Sequence, residues 1–424
     1  MTPDQRRRVA AFMMGLAALS AATATAVHLA PFPAGLAAAL CFTAVIAAAL
    51  LISWGAEAAQ FFMSQGLAVA LIALLQVVPE FMVEAVIAWQ AGKTGHLDLV
   101  FANASGSNRL LTGFGWPLIF FVTDFYHRRK HGRPLEAIAL RSEHVVEVLA
   151  LLLASSWYLV LIWKGTLSLL DSAVLGGGFA FYLWLLNRLP CEDEEEKEDL
   201  IAPPRLLAEA SGSRLGRLSI WGLFLLGGGV MWAVAEPFLA AMKDVAVAVG
   251  VSEFAFVQWV APFLTEFPEK VTAVYWSRTV RLAPMALLNM VSSTVNQFTA
   301  LVAMIPIAYA LSAGHTGAIA MDPLHKTEVF LSFATTIYGV ACLLKMRFTR
   351  VNAYVMLGLF LLQFFYKGPI DVFPHVNAFS GTAISAHALV AWAYLLAAAA
   401  EVITHRKELR VLSSLRAALA SMEG

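Results

Sequence analysis

The stretch LIALLQVVPEFMVEAVIAWQ, residues 71–90, sets a Pro-Glu pair ending at Glu80 inside an apolar run long enough for a helix. The stretch QWVAPFLTEFPEKVTAVYW, residues 258–276, does the same with a Pro-Glu pair ending at Glu269. A carboxylate in hydrocarbon is costly unless it has a partner, so a glutamate at membrane depth indicates a functional site. A proline beside it frees a backbone carbonyl, which is tolerated there only where protein or a cavity satisfies it. The repetition predicts a cation site built from two related helices, one in each half of the chain.

The composition is typical of a polytopic membrane protein. Of the 424 residues, 59% are hydrophobic and 14% are charged, and the mean hydropathy is +0.72. A soluble protein of this size has no need for so much apolar surface, whereas many spanning helices require it. The net charge is zero and no basic stripe with interleaved aromatic residues occurs, which argues against a nucleic-acid partner. The three cysteines lie far apart and indicate neither a disulfide framework nor a metal site.

Apolar runs of about 20 residues, divided at charged and Pro/Gly-rich joints, predict an all-α fold of about twelve transmembrane helices. The predicted helices fall near residues 8–29, 34–56, 67–91, 98–124, 142–163, 168–188, 217–241, 252–277, 284–312, 328–346, 350–367 and 382–403. The first run follows a basic stretch, as a signal peptide does, but it is long enough to span and many spans follow. We therefore predict a retained first helix in preference to a cleaved signal.

Arginine and lysine are concentrated in one set of predicted loops. The loops on the side of the N-terminus carry clusters such as residues 128–133 and 405–410, whereas the opposite loops hold only isolated lysines. By the positive-inside rule, both termini are predicted to be cytoplasmic. The Ala- and Leu-rich chain has no organelle-targeting features, which suggests the bacterial plasma membrane, that is, the inner membrane.

The longest polar segment, CEDEEEKEDLIAPPRLLAEASGSRLGR, begins at Cys191 near the middle of the chain. Its acidic run predicts a solvated cytoplasmic linker, with a regulatory cation-binding loop as the alternative. Five predicted helices on each side of it give two units of opposite orientation, because five is odd. We predict an extra N-terminal helix, a first five-helix repeat, the acidic linker, a second repeat, and an extra C-terminal helix with a cytoplasmic tail. The corresponding boundaries are 1–33, 34–190, 191–216, 217–367 and 368–424.

A polar cluster follows each Pro-Glu pair by about twenty residues, inside an apolar helix. The first is NASGSN at residues 103–108, and the second is NMVSST at residues 289–294, extended by Asn296 and Gln297. Small polar residues also permit close helix packing, which is the structural explanation for either cluster alone. Two such clusters, each downstream of a Pro-Glu pair, favour a site.

These elements resemble the α-repeats of the calcium/cation antiporter superfamily, which includes sodium/calcium and proton/calcium exchangers. Pro-Glu helices followed by an N-x-x-G-S-N helix, repeated after a polar central loop, carry the resemblance over roughly residues 34–188 and 217–367. It implies ten core helices in two inverted five-helix repeats. It also implies that the four α-repeat helices enclose a midplane site with Glu80 and Glu269 as central cation ligands.

The chain departs from the family pattern G-T-S-x-P-E in both repeats, which read LQVVPE and LTEFPE. The hydroxyls expected to help ligate sodium are absent at Gln76 and Val77. In the second repeat a hydroxyl is retained at Thr265, but a carboxylate, Glu266, stands at the next position. Lys270 adds a charge that the pattern lacks. Its i, i+4 spacing from Glu266 predicts a local ion pair, whereas a Lys270 not held by Glu266 would weaken divalent binding.

Calcium takes six to eight oxygen ligands in flexible geometry, so two carboxylates would need amides, hydroxyls and carbonyls beside them. The predicted cation ligands are Glu80, Glu269, Asn103, Ser107, Asn108, Thr265, Asn289 and Ser293. When the cation leaves, facing carboxylates repel each other, so protons or sodium would recharge the site. The extra acids Glu84 and Glu266 are the candidates for proton coupling, and together with the missing hydroxyls they favour protons over sodium.

The function predicted from the sequence is secondary active antiport of calcium, or another divalent cation, against protons or sodium by alternating access. Its partners are inorganic cations and the bilayer, with no cofactor. The first alternative is a divergent, non-transporting membrane scaffold or regulator. An intramembrane hydrolase is disfavoured, because HExxH, Ser-Lys, Ser-His, GxGD and phosphate-loop motifs are missing.

Overall fold

The structure is a computed structural model that describes residues 2–59, 61–62, 78–142, 144–188, 197–365 and 386–422. The helices are α1 (Pro3–Leu29), α2 (Ala34–Ala59), α3 (Val78–Thr94), α4 (Ala102–Arg109), α5 (Trp116–His131), α6 (Val145–Lys164), α7 (Leu169–Leu186), α8 (Ala202–Ala210), α9 (Arg214–Ala248), α10 (Glu253–Thr265), α11 (Phe267–Trp276), α12 (Ala283–Asn296), α13 (Val302–Ala313), α14 (Pro323–Leu343), α15 (Arg350–Phe365), α16 (Ala386–Thr404) and α17 (Val411–Met422). Two π-helical segments join consecutive helices, π1 (Leu110–Gly115) and π2 (Gln297–Leu301). The short strands are β1 (Ala137–Ala139), β2 (Thr166–Leu167), β3 (Ile319–Ala320) and β4 (Arg347–Thr349), and a 3-10 turn covers Lys197–Asp199.

Seven helices within the described ranges are long and apolar enough to cross a membrane. They are α1, α2, α6, α7, α9, the continuous α12–π2–α13 helix, and α16. The chain is therefore an all-α, multi-pass membrane protein. The total of twelve spans stays a prediction, because parts of the predicted helices 67–91, 350–367 and 382–403 lie outside the described residues.

Three predicted helices are interrupted in the structure. The prediction at 98–124 becomes α4, π1 and α5 and runs on to His131, and the prediction at 284–312 becomes α12, π2 and α13. Each π segment lies just ahead of a proline, Pro117 or Pro306, which lacks the N–H needed by the preceding turn and clashes with its carbonyl. The prediction at 252–277 divides at Glu266 into α10 and α11, with a proline again in the first turn of the later helix.

Part of the predicted solvated linker is helical. Helix α8 buries Pro204, Leu207 and Ala208, whose i, i+3, i+4 spacing gives it one apolar face. That face packs against α1 and α2. The predicted C-terminal tail likewise contains a helix, α17, which packs against α6.

The chain forms two compact units. The first unit combines Met1–Leu99 with Leu186–Thr272, and within it α2 and α9 make the most extensive helix pair. Their backbones approach closely at Gly227, where an added Cβ would lie 2.7 Å from Ile52 Cγ1 and 2.9 Å from the carbonyl oxygen of Ala48. Helix α3 packs against α2, α9 and α10. The first unit therefore draws helices from both predicted repeats, whose boundaries stay a prediction.

The second unit combines Val100–Leu185 with Ala273–Gly424. Two antiparallel ribbons join its two sequence segments: β1 pairs with β4, and β2 pairs with β3. If β1 and β2 of the first half correspond to β3 and β4 of the second, exchanging the halves maps one ribbon onto the other. This pairing has the symmetry expected of two inverted repeats.

Candidate functional site

The first Pro-Glu pair lies at the start of the described part of α3. Pro79 is the second residue of that described part. Glu80 follows it and is 3% exposed, and Glu84 lies one turn later on the same face with no exposed surface. Both predicted acids are therefore buried on one helix of the first unit. Gln76 and Val77 lie outside the described residues.

The second Pro-Glu pair lies at a break between two helices of the first unit. Helix α10 ends at Thr265, and α11 begins two residues later, so Glu269 occupies the first turn of α11. The N-terminal end of a helix carries partial positive charge, which stabilises a carboxylate there. Glu269 is 4% exposed. The hydroxyl of Thr265 donates to the carbonyl of Ala261 at 3.0 Å, which leaves its oxygen lone pairs able to accept or ligate.

Lys270 is held by Glu266. Its Nζ lies 2.5 Å from Glu266 Oε2, and both side chains are buried. The ion pair has the i, i+4 geometry that the spacing predicts. The positive charge beside Glu269 is therefore balanced locally, and Glu266 accepts a charged donor.

Glu57 is a buried acid of the first unit that the sequence-based ligand set omits. It lies near the end of α2 and is 2% exposed. Thr272 of α11 donates to its Oε1 at 2.8 Å, and Ser53 donates to the same oxygen at 3.2 Å. The contact joins α2 to the helix that carries Glu269. A glutamate inside an apolar span was the available signal, because it applies to Glu57 as much as to Glu80.

The first polar cluster occupies α4 in the second unit and ends just before π1. Asn103 and Ser107 have no exposed surface, and Asn108 is 1% exposed. Neither the side-chain oxygen nor the side-chain nitrogen of Asn108 has a hydrogen-bond partner among the described residues. A buried amide that lacks partners is costly. The side-chain oxygen of Asn108 is therefore suited to bind a group from outside the protein, such as a cation.

The second polar cluster occupies α12 and π2 in the same unit. Ser293 is buried and Asn289 is partly exposed. Beyond them, Asn296 and Gln297 are also buried, although the predicted ligand set stops at Ser293. Gln297 Nε2 donates to Ser107 Oγ at 2.7 Å, which brings the two polar clusters into contact.

A spacing in the sequence could have identified Gln297. It lies 28 residues beyond Glu269, and Asn108 lies 28 residues beyond Glu80. Both positions border a π segment, where one extra residue per turn widens the helix and turns side chains away from their usual direction. π-Helical turns are frequent at functional sites. The two equivalent positions therefore carry amides in both halves.

The described residues divide the candidate chemistry between the units. Of the predicted ligands, the first holds both carboxylates, which supply charge, and the hydroxyl of Thr265, and the second holds the amides and the other hydroxyls, which supply neutral oxygen. Within the described ranges, no group of three or more His, Cys, Asp or Glu side chains is arranged as a metal site. The assignment of the eight predicted ligands, and of Glu84 and Glu266 to proton coupling, stays a prediction, as does the facing of Glu80 and Glu269.

Comparison with known proteins gives a family and a fold. The family model described as "Sodium/calcium exchanger protein" matches residues 32–187 and 219–367. The crystal structure of the H+/Ca2+ exchanger CAX shares 27% sequence identity with the chain, has a TM-score of 0.85, and covers 99% of both chains. The sodium-calcium exchanger NCX_Mj, soaked with sodium and strontium, shares 16% identity, with a TM-score of 0.52 over 79% of this chain and 99% of that one. No curated protein sequence matches the chain.

The family match covers most of the chain and falls on both sides of the polar linker. The NCX_Mj likeness is one of fold, and the CAX likeness extends over nearly the whole length. The matched proteins are ion exchangers, a class of transporter and not of enzyme. The chain therefore belongs to the sodium/calcium exchanger family within the calcium/cation antiporter superfamily, and it is a multi-pass membrane protein of cation antiport.

Proposed function

We propose that the protein exchanges calcium, or another divalent cation, for protons, with Glu80 and Glu269 as the central cation ligands. The observation that carries the proposal is the repeated Pro-Glu pair, which puts a buried carboxylate directly after a proline in an α-helix of each half. At Glu269 that helix starts at a break, and discontinuous helices at membrane depth are typical of transporter ion sites. Two carboxylates match the charge of a divalent cation, and neutral oxygens complete a flexible coordination shell.

Protons are favoured over sodium by the residues around the two glutamates. The sodium-type hydroxyls are missing at Gln76 and Val77, while acids are present at Glu84 and Glu266. The CAX structure, named as an H+/Ca2+ exchanger, also has the higher identity and TM-score of the two solved relatives. Of the two acids, Glu84 is the stronger candidate for proton coupling, because Glu266 is already engaged in a buried ion pair with Lys270.

We further propose the bacterial plasma membrane as the location, with both termini in the cytoplasm. The support is the bias of arginine and lysine toward one set of loops. Single cysteines placed in the N-terminal stretch and at the exposed Gly314 loop should react with a membrane-impermeant reagent from opposite sides. Labelling of both from the same side would contradict this orientation.

The decisive experiment measures ion flux in proteoliposomes loaded with a calcium indicator, with the voltage clamped. An imposed pH gradient should drive calcium uptake, and a sodium gradient should not. E84Q should change the pH dependence more than the apparent calcium affinity, whereas E266Q should leave the pH dependence close to that of the parent protein.

Each of the other outcomes identifies a rival function. Flux driven by sodium and indifferent to pH would overturn proton coupling. No flux under either gradient, from protein that is folded and reconstituted, would favour the non-transporting scaffold. If E266Q loses proton coupling and E84Q keeps it, the roles of the two acids are exchanged.

A further inference from the structure

A second buried charged cluster lies in the second unit, apart from the carboxylates of the first. Arg109, at the end of α4, has no exposed surface, and its Nη2 donates to Oε2 of Glu328 on α14 at 2.5 Å. Its Nη1 donates to Oε1 of Gln363 on α15 at 2.9 Å, and its Nε donates to the carbonyl of Ser105 at 3.0 Å. All three guanidinium nitrogens therefore donate, and the cation holds α4, α14 and α15 together.

His387, at the start of the described part of α16, completes the cluster. Its Nδ1 lies 2.5 Å from Oε1 of Glu328. Arg109 keeps Glu328 ionised, and a carboxylate only accepts, so Nδ1 carries the hydrogen. A neutral imidazole with its hydrogen on Nδ1 has a lone pair on Nε2. His387 is 7% exposed, and its Nε2 has no hydrogen-bond partner among the described residues.

We propose that His387 is a proton-binding site, filled at Nε2, and that its proton is linked to the cation bound near α4. The cluster is neutral while the imidazole is neutral, because Arg109 balances Glu328. A proton at Nε2 adds one positive charge in a medium of low dielectric, where charges act strongly on one another. Arg109 directly follows Asn108, so the cluster that gains the charge adjoins a predicted cation ligand through Arg109. Bound cation and bound proton should therefore each weaken the other, as linkage requires.

The helices packed against α16 are α14 and α15. Besides Glu328, the titratable groups on their described residues are His325, Lys326, Tyr338, Cys342, Arg350 and Tyr354. On α14, the buried His325 lies one turn before Glu328 and has its own partner, with Nδ1 3.3 Å from Asp322 Oδ1. On α16 itself, Tyr394 lies two turns on. The charged ends of these helices, at Lys345, Arg350 and Glu401, are roughly 20 Å or more away along the helix axes. Among the described residues, Arg109 and Glu328 are therefore the charged groups of the His387 cluster.

The linkage rests on the proposed cation function, but the proton site does not, so the two are tested separately. Full-length protein with ¹⁵N-labelled histidine is placed in nanodiscs, and the ring nitrogens are followed by NMR from pH 5 to 9. The resonances that H387Q removes identify His387 among the ten histidines. We expect Nδ1 to be protonated throughout and Nε2 to gain a proton as the pH falls. Adding calcium chloride should move that change to a lower pH.

Two variants keep the proposal open to contradiction. If H387Q fails to fold, E328Q serves, because loss of the anion should make Nε2 protonate at a lower pH in one histidine alone. H325Q is the matched control, since it removes another buried histidine of the second unit and should leave the His387 titration unchanged. An Nε2 that stays in one state from pH 5 to 9 would overturn the proton site.

Flux measurements separate the linkage from the proposed function. In proteoliposomes, the apparent calcium affinity of the parent protein should fall between pH 8 and pH 6. The fold-change in affinity over this range should be about five times smaller in H387Q than in the parent, since five-fold is the low end of common coupling strengths. Superimposed pH profiles for H387Q, H325Q and the parent would overturn the linkage. No calcium flux at any pH would count against the proposed function, and the NMR titration would still decide whether His387 binds a proton.

Discussion

The two compact units differ in the kind of polar group that they bury. Among the described residues of the first unit, five glutamates are buried against one lysine. Around the two π segments of the second unit, the buried polar groups are mainly amides and hydroxyls, and Arg109 is balanced by Glu328. Buried carboxylates also occur in the second unit, at Asp124, Glu147 and Asp171, but the five of the first unit include both Pro-Glu glutamates. The comparison teaches that the two units bury different mixtures of polar groups: a larger share of carboxylates in the first, and amides and hydroxyls beside carboxylates in the second.

The largest expected effect comes from removing charge from the first unit. E80Q and E269Q keep the shape of each side chain but lose one of the two central carboxylates. Calcium flux should fall by about a hundred-fold or more, because the number of charged ligands sets calcium affinity over many orders of magnitude. Proteoliposome uptake measures the loss. E236Q changes an exposed glutamate of α9 and should transport normally, whereas normal uptake in both E80Q and E269Q would remove them as ligands.

The next effect comes from removing Lys270, the one buried Lys or Arg among the described residues of the first unit. K270M leaves Glu266 buried without its ammonium partner, a change that typically costs about 3–5 kcal/mol of stability. Thermal unfolding in detergent should show the loss. The double variant E266Q/K270M should recover most of it, because no charge is then left alone. If the double variant is as unstable as K270M, the loss comes from packing and the ion pair is not its cause.

A smaller effect is expected from the neutral oxygens of the second unit. N108A should weaken apparent calcium affinity by about ten- to hundred-fold, since a bond to a charged partner contributes roughly 1.5–3 kcal/mol. The maximal rate should change less, which separates ligand loss from misfolding. S155A, another buried polar side chain of this unit, should bind calcium as the parent does. An affinity in N108A equal to that in S155A would exclude Asn108 as a ligand.

The smallest effect tests the contact between the two polar clusters. Q297A removes the hydrogen bond to Ser107, and the net contribution of such a bond is about 0.5–1.5 kcal/mol, or roughly two- to ten-fold in affinity. T299V changes a neighbouring buried hydroxyl of π2 that bonds only to its own helix, and it should have less effect. If S107A/Q297A weakens affinity by the product of the two single effects, the two residues act independently and the contact is not functional.

The membrane fold and both Pro-Glu pairs could be predicted from the sequence, because they depend on long apolar runs and on acids within them. The family match confirms the membership that those motifs indicate. The interruptions in the helices were missed, since π1 and π2 keep the apolar pattern of a continuous helix. Helix α8 was missed because its apolar spacing lies inside a segment dominated by charge.

Two parts of the candidate site needed the structure for a different reason. The Gln297–Ser107 contact and the Arg109–Glu328–His387 cluster join residues far apart in the chain, and hydropathy carries no information on such pairs. Glu57 was visible as an acid in an apolar span, but its link to Thr272 depends on how α2 meets α11. The i, i+4 spacing in the sequence, by contrast, was enough to predict the Glu266–Lys270 pair, although Glu266 lies at the junction of α10 and α11.

The length of α9 has a mechanical consequence. Its 35 residues include Arg217 and Lys243, which lie 26 positions apart and so about 39 Å along the axis. The hydrocarbon layer is about 30 Å thick, so keeping both charges at its surfaces requires a tilt of roughly 40° or a local thickening of the lipid. A thicker bilayer would decrease the tilt of this helix from the bilayer normal, and a thinner one would increase it. Because α2 packs along α9, a change in bilayer thickness should also shift α2, the helix that carries Glu57. The exchange rate should therefore vary with the acyl-chain length of the lipid.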